Sequence, residues 1–237
     1  MLNIVIPMCG NGQRFKDAGY EDPKPWMPAR GKSMIQAVVD NLSGFVANED
    51  ARFILITQNG LTGDIDFGPH GHKVLAVGST EGAVATLLHA SLHVLTSEGL
   101  LIANCDQIVD LEPNEWAMPL GMDGSLLTFC EPSRSRAWSY VVKSSNGHIA
   151  RIVEKKPISS EACVGIYYFR HSHTFMDTAL RVVQEERPAV NGEYYTSQVI
   201  QRMVDERVDL GTFEVERARV HMIGTPELLR SYNDCAF

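Results

Sequence analysis

The sequence predicts an α/β fold: a single Rossmann-like, mostly parallel mixed sheet flanked by helices and continued by a β-rich portion. Three observations predict it. In the first half, short apolar runs alternate with stretches whose apolar residues recur at helical spacing, the βαβ rhythm of a parallel sheet. In the second half, strand-like runs follow one another with turn signals between them. The composition permits a sizeable core, with 237 residues, 44% hydrophobic and 21% charged. No repeat, low-complexity tract or flexible linker interrupts the chain, so 1–237 reads as one domain.

The elements follow in order. Leu2–Pro7 is a compact buried strand. Ser33–Val46 is helical, with Met34, Val38, Val39, Leu42 and Phe45 on one face. Arg52–Thr57 and Lys73–Val77 are strands. Glu81 to about Thr96 is a helix with Val84, Leu87, Leu88, Leu92 and Leu95 along one side. Leu100–Asn104 is a fourth strand, ending at Cys105-Asp106. Ser125–Cys130 and Trp138–Lys143 continue the strand pattern, Asn146-Gly147 is a hairpin turn, and His148–Val153 is the return strand. Ala162–Phe169 and Val215–Ile223 are strands, and Phe175–Glu185 and Tyr195–Asp205 are helices. Thr225-Pro226-Glu227 opens a last helix, with Thr225 as N-cap and Pro226 in its first turn.

The formal net charge of −8 argues against non-specific binding to nucleic acid or anionic membranes. No apolar stretch approaches the ~18 residues of a membrane span, and the N-terminal apolar run has no basic lead and ends at Pro7. The five cysteines, Cys9, Cys105, Cys130, Cys163 and Cys235, are scattered and form no C-x-x-C pair, against a disulfide framework or zinc site. They read as small core or near-core side chains in a reduced, cytoplasmic protein.

Ligands of parallel α/β sheets sit beyond the carboxyl ends of the strands. At that edge the first strand opens into Met8-Cys9-Gly10-Asn11-Gly12-Gln13-Arg14-Phe15, followed by Pro23-Lys24-Pro25. Backbone N–H groups of a Gly-x-Gly loop can approach phosphate oxygens, and Arg14 and Lys24 add fixed cations. The prolines flanking Lys24 restrict its backbone. Together these parts suit a polyphosphate. Each has a plainer reading alone: an ordinary turn for the glycines, an exposed turn for Lys24. Phe15 stands where the dinucleotide fingerprint needs a third small residue, and no Gly-Lys-Ser/Thr follows as in a Walker A loop, so both are disfavoured. Asp106, after the fourth strand, falls at the same sheet edge.

These segments, with Trp26-Met27-Pro28 and Gly31-Lys32-Ser33-Met34-Ile35, resemble the opening signature of the sugar-phosphate nucleotidylyltransferases. The resemblance continues in family order through Thr80-Glu81-Gly82-Ala83, Asn104-Cys105-Asp106-Gln107, Val153-Glu154-Lys155-Lys156-Pro157, Val164-Gly165-Ile166-Tyr167-Tyr168-Phe169 and Gly224-Thr225-Pro226-Glu227. It implies a nucleotidyltransferase (GT-A-like) fold with 1–115 mainly nucleotide-binding and 116–237 mainly acceptor-binding. It implies catalytic roles for Arg14 and Lys24, and nucleotide contacts from Met8, Gly10, Gly12, Glu81 and Gly82. Acceptor contacts would come from Glu154, Lys155 and the Gly165 backbone, and Asp106 would hold Mg²⁺. The implied substrates are a nucleoside triphosphate and a phosphorylated sugar or sugar-like acceptor. A surface-polysaccharide precursor is the product class suggested by the small relatives. No C-terminal allosteric or acyltransferase module is expected, and self-association stays open.

One departure stands out: Met222 occupies the position, two before Gly224, where many relatives carry a second acidic residue. Asp106 would then act with water and triphosphate oxygens, with Asp110 or His221 as alternative helpers. Two other functions compete. A GT-A-type glycosyltransferase usually shows an Asp-x-Asp strand end, whereas this chain has Cys105-Asp106-Gln107. A non-catalytic nucleotide-sensing relative is supported only by Met222. Among weaker features, Glu193 or Tyr194 either touches the acceptor or packs at a helix start. The Glu154-Lys155-Lys156 run has a solvated-surface alternative. His70 and His72 read as an exposed loop rather than a metal site, and Trp26, Trp116 and Trp138 as core or rim.

Overall fold

The computed structural model describes all residues except 47–49, 59, 61–62, 95–96, 113–114, 116–121 and 236–237. Leu95, Thr96 and Trp116 therefore lie outside the described residues, as does the side chain of Phe45.

The centre of the fold is β1 (Leu2–Met8), whose apolar run is buried on both faces. After a short antiparallel ribbon of β2 (Pro28–Ala29) and β3 (Lys32–Ser33), β1 is joined in parallel by β4 (Ala51–Gln58) and β6 (Gly99–Ala103), and β4 pairs in parallel with β5 (Gly71–Val77). Successive residues point to opposite faces of a strand. Accordingly Leu2, Ile4, Ile6 and Met8 pack into one core with Met34, Ile35, Val38 and Leu42 of helix α2 (Met34–Phe45). Val5 and Cys9 pack into the other with Val84 and Leu87 of α3 (Ala83–Leu88), Phe175 of α4 (Ser172–Glu185) and Val199 of α5 (Thr196–Asp205). Ser33 caps α2 by accepting from the Gln36 N–H.

The second half adds β8 (Gly124–Cys130), the hairpin of β9 (Ser139–Lys143) and β10 (Ile149–Glu154), β11 (Glu161–Phe169) and β12 (Leu210–Val215). Together with the first strands they make, among the described residues, a nine-stranded sheet. β11 is antiparallel to β8 along one side. Its other side is divided: Ala162 faces β9, while Ile166–Phe169 faces β6. Gly165, with φ +101°, lies where the sheet forks. A two-stranded ribbon of β7 (Gln107–Val109) and β13 (Val220–Met222) runs beside it, and α6 (Pro226–Asp234) closes the chain. Thr225 caps α6 with its hydroxyl and Pro226 fills the first turn, as expected.

Several elements depart from the sequence expectation, among them β7 and most of β12, which the sequence did not mark. The helix expected over Glu81–Thr96 is α over Ala83–Leu88 only, and the chain goes on through i→i+3 turns such as Ala90 N–H to the Leu87 carbonyl. That tighter winding loses the 3.6-residue phase, and Leu92 turns outward at 91% exposure. The strand expected over Val215–Ile223 divides: β12 ends at Val215, a turn spans Arg217–Arg219, and β13 follows. At the break, the Arg219 side chain donates to both carboxylate oxygens of Glu115 and to the Asp110 carbonyl. The five cysteines are free thiols, but Cys130 and Cys235 are exposed rather than near-core. His72 stacks on Phe67 and His70 meets the edge of Phe53. Among the described residues no helix is long and apolar enough to cross a membrane.

Candidate functional site

The loop after β1 is shaped by Gly12, the left-handed residue that starts α1 (Gln13–Asp17). A Cβ there would sit 3.2 Å from Lys24 Cβ, so the glycine lets the lysine segment lie against the loop. Gly10 differs: a Cβ would meet nothing within 4 Å, and its φ is not positive. Its backbone is open to whatever enters. Lys24 begins a single 3-10 turn after extended Pro23, with Pro25 within the turn.

Two cavities meet at Lys24. One, of about 280 Å³, is lined by Met8, Gly10, Lys24, Thr80, Gly82 and Asp106 among others. The second, of about 380 Å³, includes Arg14, Lys24, Asp106, Glu154, Lys155 and Gly165. Gly82, with φ +99°, is held tightly, since a Cβ would lie 2.8 Å from both Tyr194 N and O. Glu81 is exposed and lines neither cavity; its carbonyl accepts from Tyr194 N–H. Arg14 is exposed at the second cavity.

The Lys24 ammonium and the Asp106 carboxylate form an ion pair that bridges distant segments of the chain. Burial works against the ammonium's charge, but Asp106 outweighs it and holds the Lys24 pKa above its usual value. Gly224 makes room for this pair, since a Cβ there would lie 3.1 Å from Asp106 Cγ and closer still to Oδ2. Beside them, burial pushes the Cys105 thiol up to about 11. Met222 lines the second cavity, on the strand paired to Gln107. Asp110 and His221 pair with each other at 2.6 Å and line neither cavity.

At the far side, Glu154 accepts from Ser197 Oγ at 2.8 Å, and burial raises its pKa. Lys155 has φ +52°, a left-handed conformation costing about 1–2 kcal/mol for a residue with a Cβ. Its ammonium donates to Tyr195 Oη at 2.6 Å. Lys156 is exposed. At the fork, a Cβ on Gly165 would lie 2.8 Å from Gln107 Nε2 and closer still to Gln107 Oε1 and Asn104 Nδ2.

Among the cavity residues that the sequence did not mark are Gln107, Asn104 and Tyr195. Gln107 is 6% exposed and lines the second cavity, yet its buried Oε1 has no hydrogen-bond partner among the described residues. Its place directly after Asp106 was the available signal. Of the Glu193–Tyr195 stretch, Tyr194 is the packing residue, its hydroxyl donating to carbonyls of α4 and the following turn. Tyr195 is the one that reaches the cavities, as the alternation of an extended segment requires. Trp138 lines the second cavity against Phe129, and Trp26 lines a neighbouring one.

No protein-family model and no curated protein matches this sequence. Solved structures do match in shape. A nucleoside-diphosphate-sugar pyrophosphorylase from Vibrio cholerae RC9 superposes with a TM-score of 0.83 at 22% identity, over 98% of this chain and 100% of that one. An inositol-1-phosphate CTP transferase from T. maritima has a TM-score of 0.73 at 14% identity, over 99% and 97%. A UDP-glucose pyrophosphorylase complexed with UDP-glucose has 0.79 at 13% identity, over 99% and 97%. The likeness establishes the architecture: a sugar-phosphate nucleotidylyltransferase fold.

Proposed function

We propose that this chain transfers a nucleoside monophosphate from a nucleoside triphosphate to a sugar 1-phosphate or sugar-like phosphate, releasing pyrophosphate. The observation that carries the reading is the meeting of two cavities at one half-buried lysine, Lys24. The cavity of Met8, Gly10 and Gly82 suits the nucleotide. The cavity of Glu154, Lys155 and Gly165 suits the acceptor, with 1–115 and 116–237 dividing those tasks. The names of the superposing structures support this substrate class.

In the reaction, an acceptor phosphate oxygen forms a bond to the α-phosphorus. The bond from that phosphorus to the bridging oxygen of the β-phosphate breaks, and pyrophosphate leaves with the electron pair. Such transfers depend on positioning and on offsetting negative charge. Lys24, restrained by its prolines, faces the α-phosphate and brings the acceptor phosphate near. Arg14, free in the open cavity, meets the β- and γ-phosphates. Lys155 meets the acceptor phosphate. Glu154 and the Gly165 backbone meet acceptor hydroxyls. Gly12 and Gly10 let the loop backbone lie against the nucleotide, and Glu81 and Gly82 shape the base end.

The donor set at Asp106 fits Mg²⁺ in one form only. Among the described residues no cluster of three or more His, Cys, Asp or Glu side chains could cage a metal. Met222 offers a soft thioether where a hard cation prefers oxygen. Mg²⁺ is commonly held by one or two carboxylates plus substrate phosphates and waters. Asp106 would therefore hold an ion that arrives with the triphosphate, and that ion would offset charge on the phosphoryl oxygens. Five free thiols suit a reducing cytoplasm, and a nucleotide-sugar precursor of surface polysaccharide fits the product class.

The test is incubation with each common nucleoside triphosphate, a panel of sugar phosphates and Mg²⁺, reading pyrophosphate. Release that needs both substrates supports the reading. Tight nucleotide binding with no pyrophosphate from any pair favours a nucleotide sensor. Release of nucleoside diphosphate from a nucleotide sugar favours a glycosyltransferase.

A further inference from the structure

The Lys155 ammonium is not left to swing in the acceptor cavity. It donates to Tyr195 Oη at 2.6 Å and lies 4.4 Å from the centre of the same ring. Tyr195 Oη in turn donates to Glu193 Oε2 at 2.6 Å. The chain of bonds thus runs from ammonium to hydroxyl to carboxylate. A hydroxyl that donates to a carboxylate is a better acceptor for the next donor. The ring is fixed at its base, because Tyr195 precedes α5 and its N–H donates to Gln198 Oε1 at 3.1 Å. The neighbouring backbone is tied to the nucleotide side. Tyr194 N–H donates to the Glu81 carbonyl at 2.8 Å, and Val84 N–H donates to the Tyr194 carbonyl at 3.1 Å. Lys155 itself sits in a left-handed conformation at the end of β10, which fixes the direction its stem leaves the strand. Tyr195 lines both cavities and Glu193 lines the nucleotide cavity.

We propose that Tyr195 and Glu193 are positioning residues that hold the Lys155 ammonium, by hydrogen bond and ring contact, where it receives the acceptor phosphate. This rests on the nucleotidyl-transfer reading for the identity of the phosphate, and on geometry alone for the restraint of the lysine. Lys155 keeps two of its three donors for the ligand. Tyr195 borders the nucleotide cavity as well, but its hydroxyl and ring engage the lysine rather than the reacting atoms, so its loss falls mainly on acceptor recognition.

Tyr195→Phe keeps the ring and removes the hydroxyl. A hydrogen bond to a charged group sets the scale of its loss: the acceptor KM rises about tenfold, with kcat and the triphosphate KM within about twofold. Tyr195→Leu removes ring and hydroxyl together and raises that KM further, and Glu193→Gln gives a smaller rise. In a Lys155→Met background, Tyr195→Phe adds no further loss, because its effect passes through the lysine. A second readout needs no turnover: competitive acetylation of the free protein, followed by peptide mass spectrometry, with exposed Lys156 as internal reference. Tyr195→Leu raises the labelling of Lys155 relative to Lys156 several-fold while the Tm stays within a few degrees of wild type. Unchanged relative labelling, or additive KM losses in the double variant, overturns the proposal. Altered labelling in a protein that releases no pyrophosphate with any substrate pair upholds the positioning and sinks the nucleotidyl-transfer reading instead.

Discussion

Replacing Gly165 by alanine tests the fork in the sheet and the acceptor cavity together. The residue sits at φ +101°, where a side chain is strained. Left-handed backbone costs about 1–2 kcal/mol for a residue with a Cβ. The added carbon would also fall 2.8 Å from Gln107 Nε2, and nearer still to Gln107 Oε1 and Asn104 Nδ2. Both amides end side chains that must turn aside; Gln107, in β7, is 6% exposed and has little room to do so, and the backbone there is held by the Asn104 main-chain N–H donating to the Gly165 carbonyl at 3.1 Å. Overpacking of this kind costs roughly 1–3 kcal/mol, so the total is about 2–5 kcal/mol. For a chain of this length each kcal/mol lowers Tm by about 2–4 °C, which puts the smallest expected drop near 4 °C. Scanning calorimetry of Gly165→Ala reads that shift. Steady-state kinetics with varied acceptor shows a KM raised at least tenfold, because the displaced amides face the acceptor cavity, while the triphosphate KM holds. Gly10→Ala is the control: its Cβ would meet nothing within 4 Å, and its Tm stays at the wild-type value. A Gly165→Ala protein with unchanged Tm and unchanged acceptor KM would refute the reasoning about the fork.

Other predictions follow from the same geometry. Arg14→Ala and Lys24→Ala each lower kcat by about 10²–10³, the scale of removing one charge-stabilising donor, and circular dichroism shows both variants folded; full activity in both would remove the site assignment. Met222→Asp places a carboxylate on the strand beside Gln107, and the Mg²⁺ concentration giving half-maximal rate falls. A requirement that does not change would mean that this position does not face the metal. Burial raises the Glu154 pKa, so the folded protein binds that proton more tightly than the unfolded chain does. Its contribution to stability therefore declines as pH rises from the usual carboxylate value through the raised one. Glu154→Gln flattens that decline in a Tm-versus-pH series while raising the acceptor KM; parallel Tm curves for the two proteins would contradict it.

The parallel half of the fold was legible in the sequence because β1 and β4 are buried on both faces and so read as unbroken apolar runs. Helix α2 was legible from its apolar period. Strand β12 was not, since Leu210–Val215 carries Gly211, Thr212 and Glu214 and gains its place only by pairing with β8. The charged residues of the candidate site, Arg14, Lys24, Asp106 and Lys155, stood out in the sequence because each lies within two residues of a glycine, proline or strand end that marks its loop. What local pattern could not supply was contact. The pairing of Lys24 with Asp106 joins residues 82 apart, and the amides over Gly165 come from the far side of the fork. Tyr194 and Tyr195 are chemically equal in the sequence. Only the packing of Tyr194 against the end of α4 tells which of them is left for the cavity.

The most direct test of the central claim follows oxygen atoms. The protein is incubated with a nucleoside triphosphate that supports turnover, Mg²⁺ and a sugar phosphate carrying ¹⁸O in its phosphate, and the products are read by ³¹P NMR. Attack by the acceptor phosphate on the α-phosphorus predicts a nucleoside diphosphate sugar with ¹⁸O in the bridging position and pyrophosphate free of label. Labelled pyrophosphate, or triphosphate consumed with no labelled nucleotide sugar formed, would contradict it.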